Sequence, residues 1–99
     1  MILVFTNEAT ADLENLGDYI AEDSPSQAMA FVQELRRHCA SLLDMPKRFP
    51  LTPRHEISGI RRMVHGNFLV FYRVTVENVE IIRILHGARD YEPLLFPTE

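Results

Sequence analysis

The stretch from Gly59 to Tyr91, which reads GIRRMVHGNFLVFYRVTVENVEIIRILHGARDY, decides the fold. It contains three apolar runs of strand-like composition. Two short polar breaks, Gly66-Asn67 and Glu77-Asn78, separate the runs, and each is a candidate two-residue hairpin turn. The stretch therefore predicts three consecutive antiparallel strands, over residues 59–65, 68–76 and 79–86.

The residues before this stretch predict one short strand followed by two helices. Residues 2–5 form an apolar run, and apolar residues recur at helical spacing over residues 9–20 and again over residues 28–42. Candidate N-caps are Thr6 or Asn7 for the first helix and Ser24, followed by Pro25, for the second. We therefore expect a single α+β domain over residues 1–99, of order β-α-α-β-β-β. In it an antiparallel helical hairpin packs on one face of a mostly antiparallel sheet.

Charge is unevenly distributed along the chain. The first 35 residues carry seven acids and no Lys or Arg, whereas residues 36–99 carry ten bases and seven acids, for a net charge of −4. A ribosome-docking protein gains much of its affinity from basic groups that neutralise phosphates, so this balance disfavours such a role. We expect no sequence-specific nucleic-acid binding. We also expect no membrane span, since no apolar run approaches the ~20 residues that one needs.

The single cysteine and the scattered histidines narrow the possible chemistry. Cys39 lies on the apolar stripe of the second helix, which favours a small buried hydrophobe over a nucleophile and fits a reducing cytoplasm. The four histidines, at positions 38, 55, 65 and 86, lack the spacing of metal ligands. The sequence therefore predicts no metal and no cofactor.

Two-residue turns at both hairpins would align one row of polar side chains across the sheet. In that register Arg61 lies opposite Tyr72, and Tyr72 lies opposite Arg83, on the same face. A slip of one residue in either turn would destroy the row. Arginines within apolar strands are costly unless an anion or a partner meets them.

Both faces of the predicted sheet are substantially apolar, and one helical hairpin can cover only one of them. The second face is therefore covered by the proline-containing loop 44–57, by the C-terminal tail, or by another chain. We favour a partner chain, because an apolar face with embedded arginines is typical of an interface. The predicted partner-binding residues are Arg61, Met63, Val70, Tyr72, Arg83, Arg89, Leu94, Leu95 and Phe96.

One group of residues could instead cleave RNA without a metal. Arginines can stabilise a phosphate oxyanion while His86 or Tyr91 moves a proton. The candidates for this role are Arg61, Arg83, His86 and Tyr91, with Arg89 beside them. Two structural alternatives stand against it: a local ion pair between Arg89 and Asp90, and a purely structural histidine at the end of the last strand.

The chain resembles the ParE/RelE family of bacterial type II toxins. The resemblance rests on Gly59-Ile60-Arg61, on Phe71-Tyr72-Arg73 and most specifically on Arg83-Ile84-Leu85-His86-Gly87-Ala88-Arg89-Asp90, and it extends over nearly the whole chain. It implies a small α+β toxin that is encoded with a neutralising antitoxin.

The branches of this family differ in chemistry. The resemblance implies either ribosome-dependent cleavage of messenger RNA, as in RelE-like members, or poisoning of DNA gyrase, as in ParE-like members. RelE-like members use lysines in the loop before the second strand, whereas this chain has one lysine in all, Lys47. Its C-terminal motif also looks like ParE. We therefore expect a gyrase-directed toxin, with the nuclease and an inactive binding module as alternatives.

Overall fold

A computed structural model describes residues 1–98 and shows a four-stranded sheet with a helical hairpin on one side. The strands are β1 (Ile2–Phe5), β2 (Ile60–His65), β3 (Phe68–Val74) and β4 (Asn78–His86). The helices are α1 (Asn7–Ala21), α2 (Pro25–Ala40) and a short C-terminal α3 (Glu92–Leu95), and two 3₁₀ turns cover Ser41–Leu43 and Glu56–Ser58. The sheet order is β1-β4-β3-β2, with β1 parallel to β4 and the other pairs antiparallel. The predicted α+β architecture is confirmed.

Local capping fixes the helical hairpin as predicted. The Thr6 hydroxyl accepts a hydrogen bond from the Ala9 N–H at 3.0 Å, and the Ser24 hydroxyl accepts one from the Gln27 N–H at 3.3 Å. Each bond satisfies a backbone donor that has no partner within its helix. None of the helices within residues 1–98 is long and apolar enough to cross a membrane.

The main core lies between the helical hairpin and the sheet. Leu13 of α1 and Leu35 of α2 pack there against Met63, Tyr72 and other buried strand residues. Cys39 is also fully buried in this layer, and burial raises the pKa of its thiol to about 12. The thiol therefore stays protonated at neutral pH, which confirms Cys39 as a small core residue.

The first hairpin turn has the predicted two residues. His65 pairs with Phe68, and Gly66 adopts φ = +58° whereas Asn67 does not have a positive φ. A positive φ at the first central position alone matches a type II′ turn, in which glycine is favoured. This turn fixes Arg61 opposite Tyr72, as predicted.

Gly66→Ala should lower the free energy of unfolding by about 1 kcal/mol, because alanine is strained at a positive φ. Urea unfolding of the two proteins measures the difference. Asn67→Ala is the matched control, since its backbone angle suits alanine. An equal effect of both substitutions would contradict the assigned turn.

The predicted register of the second hairpin is wrong. Val74 rather than Val76 lies opposite Val79, because the chain turns at Val76-Glu77 rather than at Glu77-Asn78. Thr75 closes this turn: its N–H donates to the Asn78 carbonyl at 2.8 Å, and its hydroxyl accepts from the Asn78 N–H at 2.9 Å. Val76 at the tip is 96% exposed. The predicted strand 68–76 therefore ends two residues earlier.

A β-bulge in the β3–β4 pairing exchanges the faces of the β4 residues that follow it. Tyr72 lies opposite Ile81 but Phe71 lies opposite Arg83, so Ile82 is an extra residue in β4. The predicted row Arg61–Tyr72–Arg83 is consequently broken after Tyr72. Strict alternation along the predicted strand would place Leu85 on the face of Tyr72 and Ile84 on the other; the bulge reverses this, with Ile84 in the helix-side core and Leu85 on the opposite face.

Candidate functional site

Arg61 links the loop 44–57 to the edge strand β2. Its guanidinium donates hydrogen bonds to the carbonyls of Phe49 at 2.7 Å and Lys47 at 3.3 Å. The loop backbone also pairs with β2, since the Arg62 N–H donates to the Pro50 carbonyl. Backbone carbonyl oxygens of the same chain, rather than a bound anion, therefore accept the hydrogen bonds of the Arg61 guanidinium and offset its desolvation.

Tyr72 lies inside the core rather than on an open face. Its side chain is fully buried, and its hydroxyl donates to the Pro46 carbonyl at 2.7 Å. Burial raises the pKa of this phenol. Met63 and Val70 are fully buried beside it, under the helical hairpin. The predicted placement of these three side chains on a partner surface is wrong, because their face is the one that the hairpin covers.

Arg83 is held by a carboxylate of α1. Its Nε and one terminal nitrogen donate to the two Asp12 oxygens at 2.8 and 2.9 Å, and the Ile84 N–H donates to the same carboxylate at 2.9 Å. The side chains of Arg83 and Asp12 are only 18% and 12% exposed. The hydrogen bond to Asp12 raises the pKa of the Arg83 guanidinium. This fork-to-fork pair links β4 to α1 across 71 positions of sequence.

The other nuclease candidates do not converge with Arg61 and Arg83. His86 is exposed, and its Nδ1 accepts a hydrogen bond from the Ala88 N–H at 3.0 Å. Tyr91 packs against Phe71 with ring centroids 4.9 Å apart, on the face opposite the Arg61–Tyr72 pair. Within residues 1–98 no hydrogen bond joins the four predicted catalytic residues to one another. Tyr91 and the Arg61–Tyr72 pair therefore lie on opposite faces of the sheet.

Arg89 and its neighbour Asp90 do not form the local ion pair that we considered. Arg89 is exposed and has no salt bridge to another residue in the described part of the chain. Asp90 instead accepts a hydrogen bond from the Glu92 N–H at 3.2 Å, at the start of α3. A contact between Arg89 and a partner stays a prediction.

The C-terminal tail covers the second face of the sheet. Tyr91, Leu95 and Phe96 pack on Ile60 and Phe71 in a second, smaller core. The tail of the chain itself, rather than a partner, therefore packs on the apolar sheet face that we expected a partner to cover. Leu94, at 37% exposure, faces outward more than its neighbour Leu95. Partner contacts of Leu94, Leu95 and Phe96 remain predictions, at the outer surface of the tail.

Residues that the sequence did not single out hold the tail in place. The Glu92 carboxylate lies 2.6 Å from His55 Nε2 and 3.3 Å from an Arg54 nitrogen. The His55 ring stacks on Phe96 with centroids 3.7 Å apart and planes 2° apart. Arg62 donates to the Tyr91 hydroxyl at 3.3 Å. These contacts join positions that are distant in sequence, so a linear pattern gave no signal for them.

Asp12 also escaped prediction as a functional residue, although it carries a recognisable sign. Glu8, Glu14 and Asp18 of α1 are exposed, whereas Asp12 is half-buried and lies at helical spacing from the apolar residues Ala9 and Leu16.

Across residues 1–98 no cluster of three or more His, Cys, Asp or Glu side chains could hold a metal ion. No buried side-chain nitrogen or oxygen in this range lacks a hydrogen-bond partner.

The fold, with its helical hairpin on a four-stranded sheet, is that of small bacterial toxins. Residues 3–91 match the family model described as the ParE toxin of the type II toxin-antitoxin system parDE. Toxin RelE2 of Caulobacter vibrioides is 33% identical over 88 residues, which are 88% of this chain and 96% of that protein. The chain belongs to the ParE toxin family, within the ParE/RelE superfamily of type II toxins.

Two solved structures agree with this assignment. A structure of the chromosomal ParDE toxin-antitoxin system from P. aeruginosa superposes with a TM-score of 0.74 and 26% identity, over 87% of this chain and 95% of that one. The toxin-antitoxin complex RelBE2 from Mycobacterium tuberculosis gives a TM-score of 0.60 and 27% identity, over 89% and 92%. The similarity thus spans both branch names, ParE and RelE.

Proposed function

We propose that this toxin inhibits DNA gyrase in the cytoplasm and does not cleave RNA. The observation that carries the proposal is the pairing of Arg83 with Asp12. The guanidinium gives two of its five N–H donors to this carboxylate, which also compensates its positive charge, so it attracts a phosphate oxyanion less strongly than an unpaired arginine would. A nuclease would need this positive charge free at the moment of cleavage.

Two further features support a protein target rather than a ribosomal one. Arg61 pairs with Tyr72 on the helix side of the sheet, whereas Tyr91 packs on the opposite face, which argues against both side chains binding one phosphate. The net charge of −4 and the seven acids of the first 35 residues give little of the phosphate neutralisation on which ribosome docking depends.

A cognate antitoxin is the second proposed partner. Solved relatives include toxin-antitoxin complexes, and this chain shares their fold over most of its length. Arg89 and Leu94 are the predicted partner-binding residues that stay exposed; Arg89 precedes α3 and Leu94 lies within it. We propose that the antitoxin contacts the outer surface of the tail, through an apolar residue at Leu94 and a carboxylate at Arg89.

Ribosome-dependent cleavage of messenger RNA is the competing function, favoured by the 33% identity to a toxin named RelE2. Purified toxin added to gyrase supercoiling reactions and, separately, to translating ribosomes tests the two together. We expect blocked supercoiling or trapped cleaved DNA, with the messenger RNA intact. RNA cuts in the ribosome assay, together with unaffected gyrase, would refute the gyrase proposal.

Tyr91→Phe sharpens this assay. It removes only a hydroxyl that accepts one long hydrogen bond from Arg62, so the fold is retained, whereas a nuclease that used Tyr91 would lose activity. Tyr19→Phe is the matched control, since Tyr19 is 72% exposed on α1. We expect both variants to inhibit gyrase as the original chain does. If neither assay responds to the original chain, the inactive binding module is the better description.

A further inference from the structure

Two histidines meet where the helical hairpin rests on the outer half of the sheet. His38 lies in the last turn of α2, and His65 is the last residue of β2. Their Nδ1 atoms are 2.8 Å apart, which is hydrogen-bond distance. At this separation one Nδ1 must carry a proton and donate it while the other accepts. The contact can therefore exist only while at least one of the two rings is neutral.

The surroundings of the pair are aromatic and cationic. Phe31 meets the His65 ring edge-on at 5.6 Å between centroids, and Phe49 meets the His38 ring at 6.3 Å. Phe68 lies beyond Phe31 and separates the pair from His86 of β4. The charged groups that act on His38 are His65, from β2, and Arg48, from the loop after α2. Both oppose a positive charge on His38, and among residues 1–98 no carboxylate forms a salt bridge with either ring.

We propose that His38 and His65 form a proton-sensitive clasp between α2 and the end of β2. The first proton to bind leaves one ring neutral and keeps the bridge, now as a charge-assisted hydrogen bond. The second proton turns both Nδ1 atoms into donors. The bridge then breaks, and two like charges face each other between the helix and the strand. Acidification should consequently loosen this end of the hairpin from the sheet.

The direction of the pKa shift agrees with this mechanism. Burial, then the proximity of His65, then Arg48 lower the pKa of His38 in the folded chain. The unfolded chain, with an ordinary histidine pKa near ~6.5, therefore binds the proton more tightly than the folded one. The clasp contributes its full stability above this ordinary pKa, and the contribution is lost as pH falls through the lower, folded-state pKa.

NMR titration of the histidine side chains in the isolated toxin tests the proposal without any substitution. We expect the side-chain signals of His38 and His65 to change together on acidification, because the hydrogen bond between their Nδ1 atoms breaks for both rings at once. Two independent single-step curves for His38 and His65 would overturn the proposal.

Substitutions test the structural consequence. His65→Gln should raise the pKa of His38 toward its ordinary value, because the neighbouring charge is gone. It should also reduce the fall in Tm between pH 7.5 and pH 5. His86→Gln is the matched control, as it removes an exposed histidine at the end of β4, a strand that β3 separates from β2. If the variant and the original chain lose the same Tm on acidification, the pair is not a clasp.

Discussion

Asp12→Ala should lower the free energy of unfolding by about 2–4 kcal/mol, a large fraction of the stability of a domain of this size. The substitution removes the acceptor of three hydrogen bonds and leaves the Arg83 guanidinium in an 18%-exposed position without its counter-charge. Breaking one partner of a fully buried pair costs ~3–5 kcal/mol, and the residual exposure here reduces that cost. Urea unfolding followed by circular dichroism measures the difference.

Glu14→Ala is the control for Asp12→Ala, since Glu14 is an exposed acid on the same helix. It should change the free energy of unfolding by less than about 0.5 kcal/mol. The double variant Asp12→Ala with Arg83→Met should recover part of the loss, because it no longer buries an unpaired charge. A loss for Asp12→Ala as small as that for Glu14→Ala would show that the pair is not formed in solution.

Elements that short-range interactions determine could be predicted from the sequence. Thr6 and Ser24 begin their helices through bonds to residues three positions away, and Gly66 turns the chain within two residues. Such local signals are present in the linear pattern. The three strands of the C-terminal half were predicted from their apolar runs, and the pairing of Arg61 with Tyr72 from the two-residue turn at Gly66-Asn67.

The predicted register of the second hairpin was wrong because two further effects decide it. Thr75 bonds to Asn78, which moves the turn to Val76-Glu77, and the bulge at Ile82 then shifts the remaining pairs by one residue. A strand has a side-chain period of two, so that single shift exchanged the faces of Ile84 and Leu85. Nothing in the local composition separates this register from the predicted one.

The roles of the candidate site residues were harder to predict than their positions. Arg61 and Arg83 were correctly recognised as residues that require partners, yet the partners are internal: carbonyls of the loop after α2 and Asp12 of α1. Such partners come from elements far away in sequence. The same holds for His38 with His65 and for His55 with Glu92, whose pairing depends on how the elements pack.

Deletion of residues 92–99 should destabilise the chain by about 3 kcal/mol and expose the smaller core. Leu95 and Phe96 are half-buried against Ile60 and Phe71, and the deletion also removes the Glu92 carboxylate that binds His55. The newly exposed apolar face should bind a hydrophobic dye and promote self-association. Thermal unfolding, dye fluorescence and light scattering measure these three effects.

Deletion of residues 97–99 is the matched control, because it keeps all the tail side chains that pack in the smaller core within residues 1–98. Its Tm and dye binding should equal those of the full chain. Single substitutions then locate the effect along the tail: Leu95→Ala should destabilise clearly more than Leu94→Ala, since Leu94 faces solvent to a greater extent. If the longer deletion also leaves Tm and dye binding unchanged, the tail does not cover this face in solution. The face would then be open to a partner, as the apolar pattern of the strands first indicated.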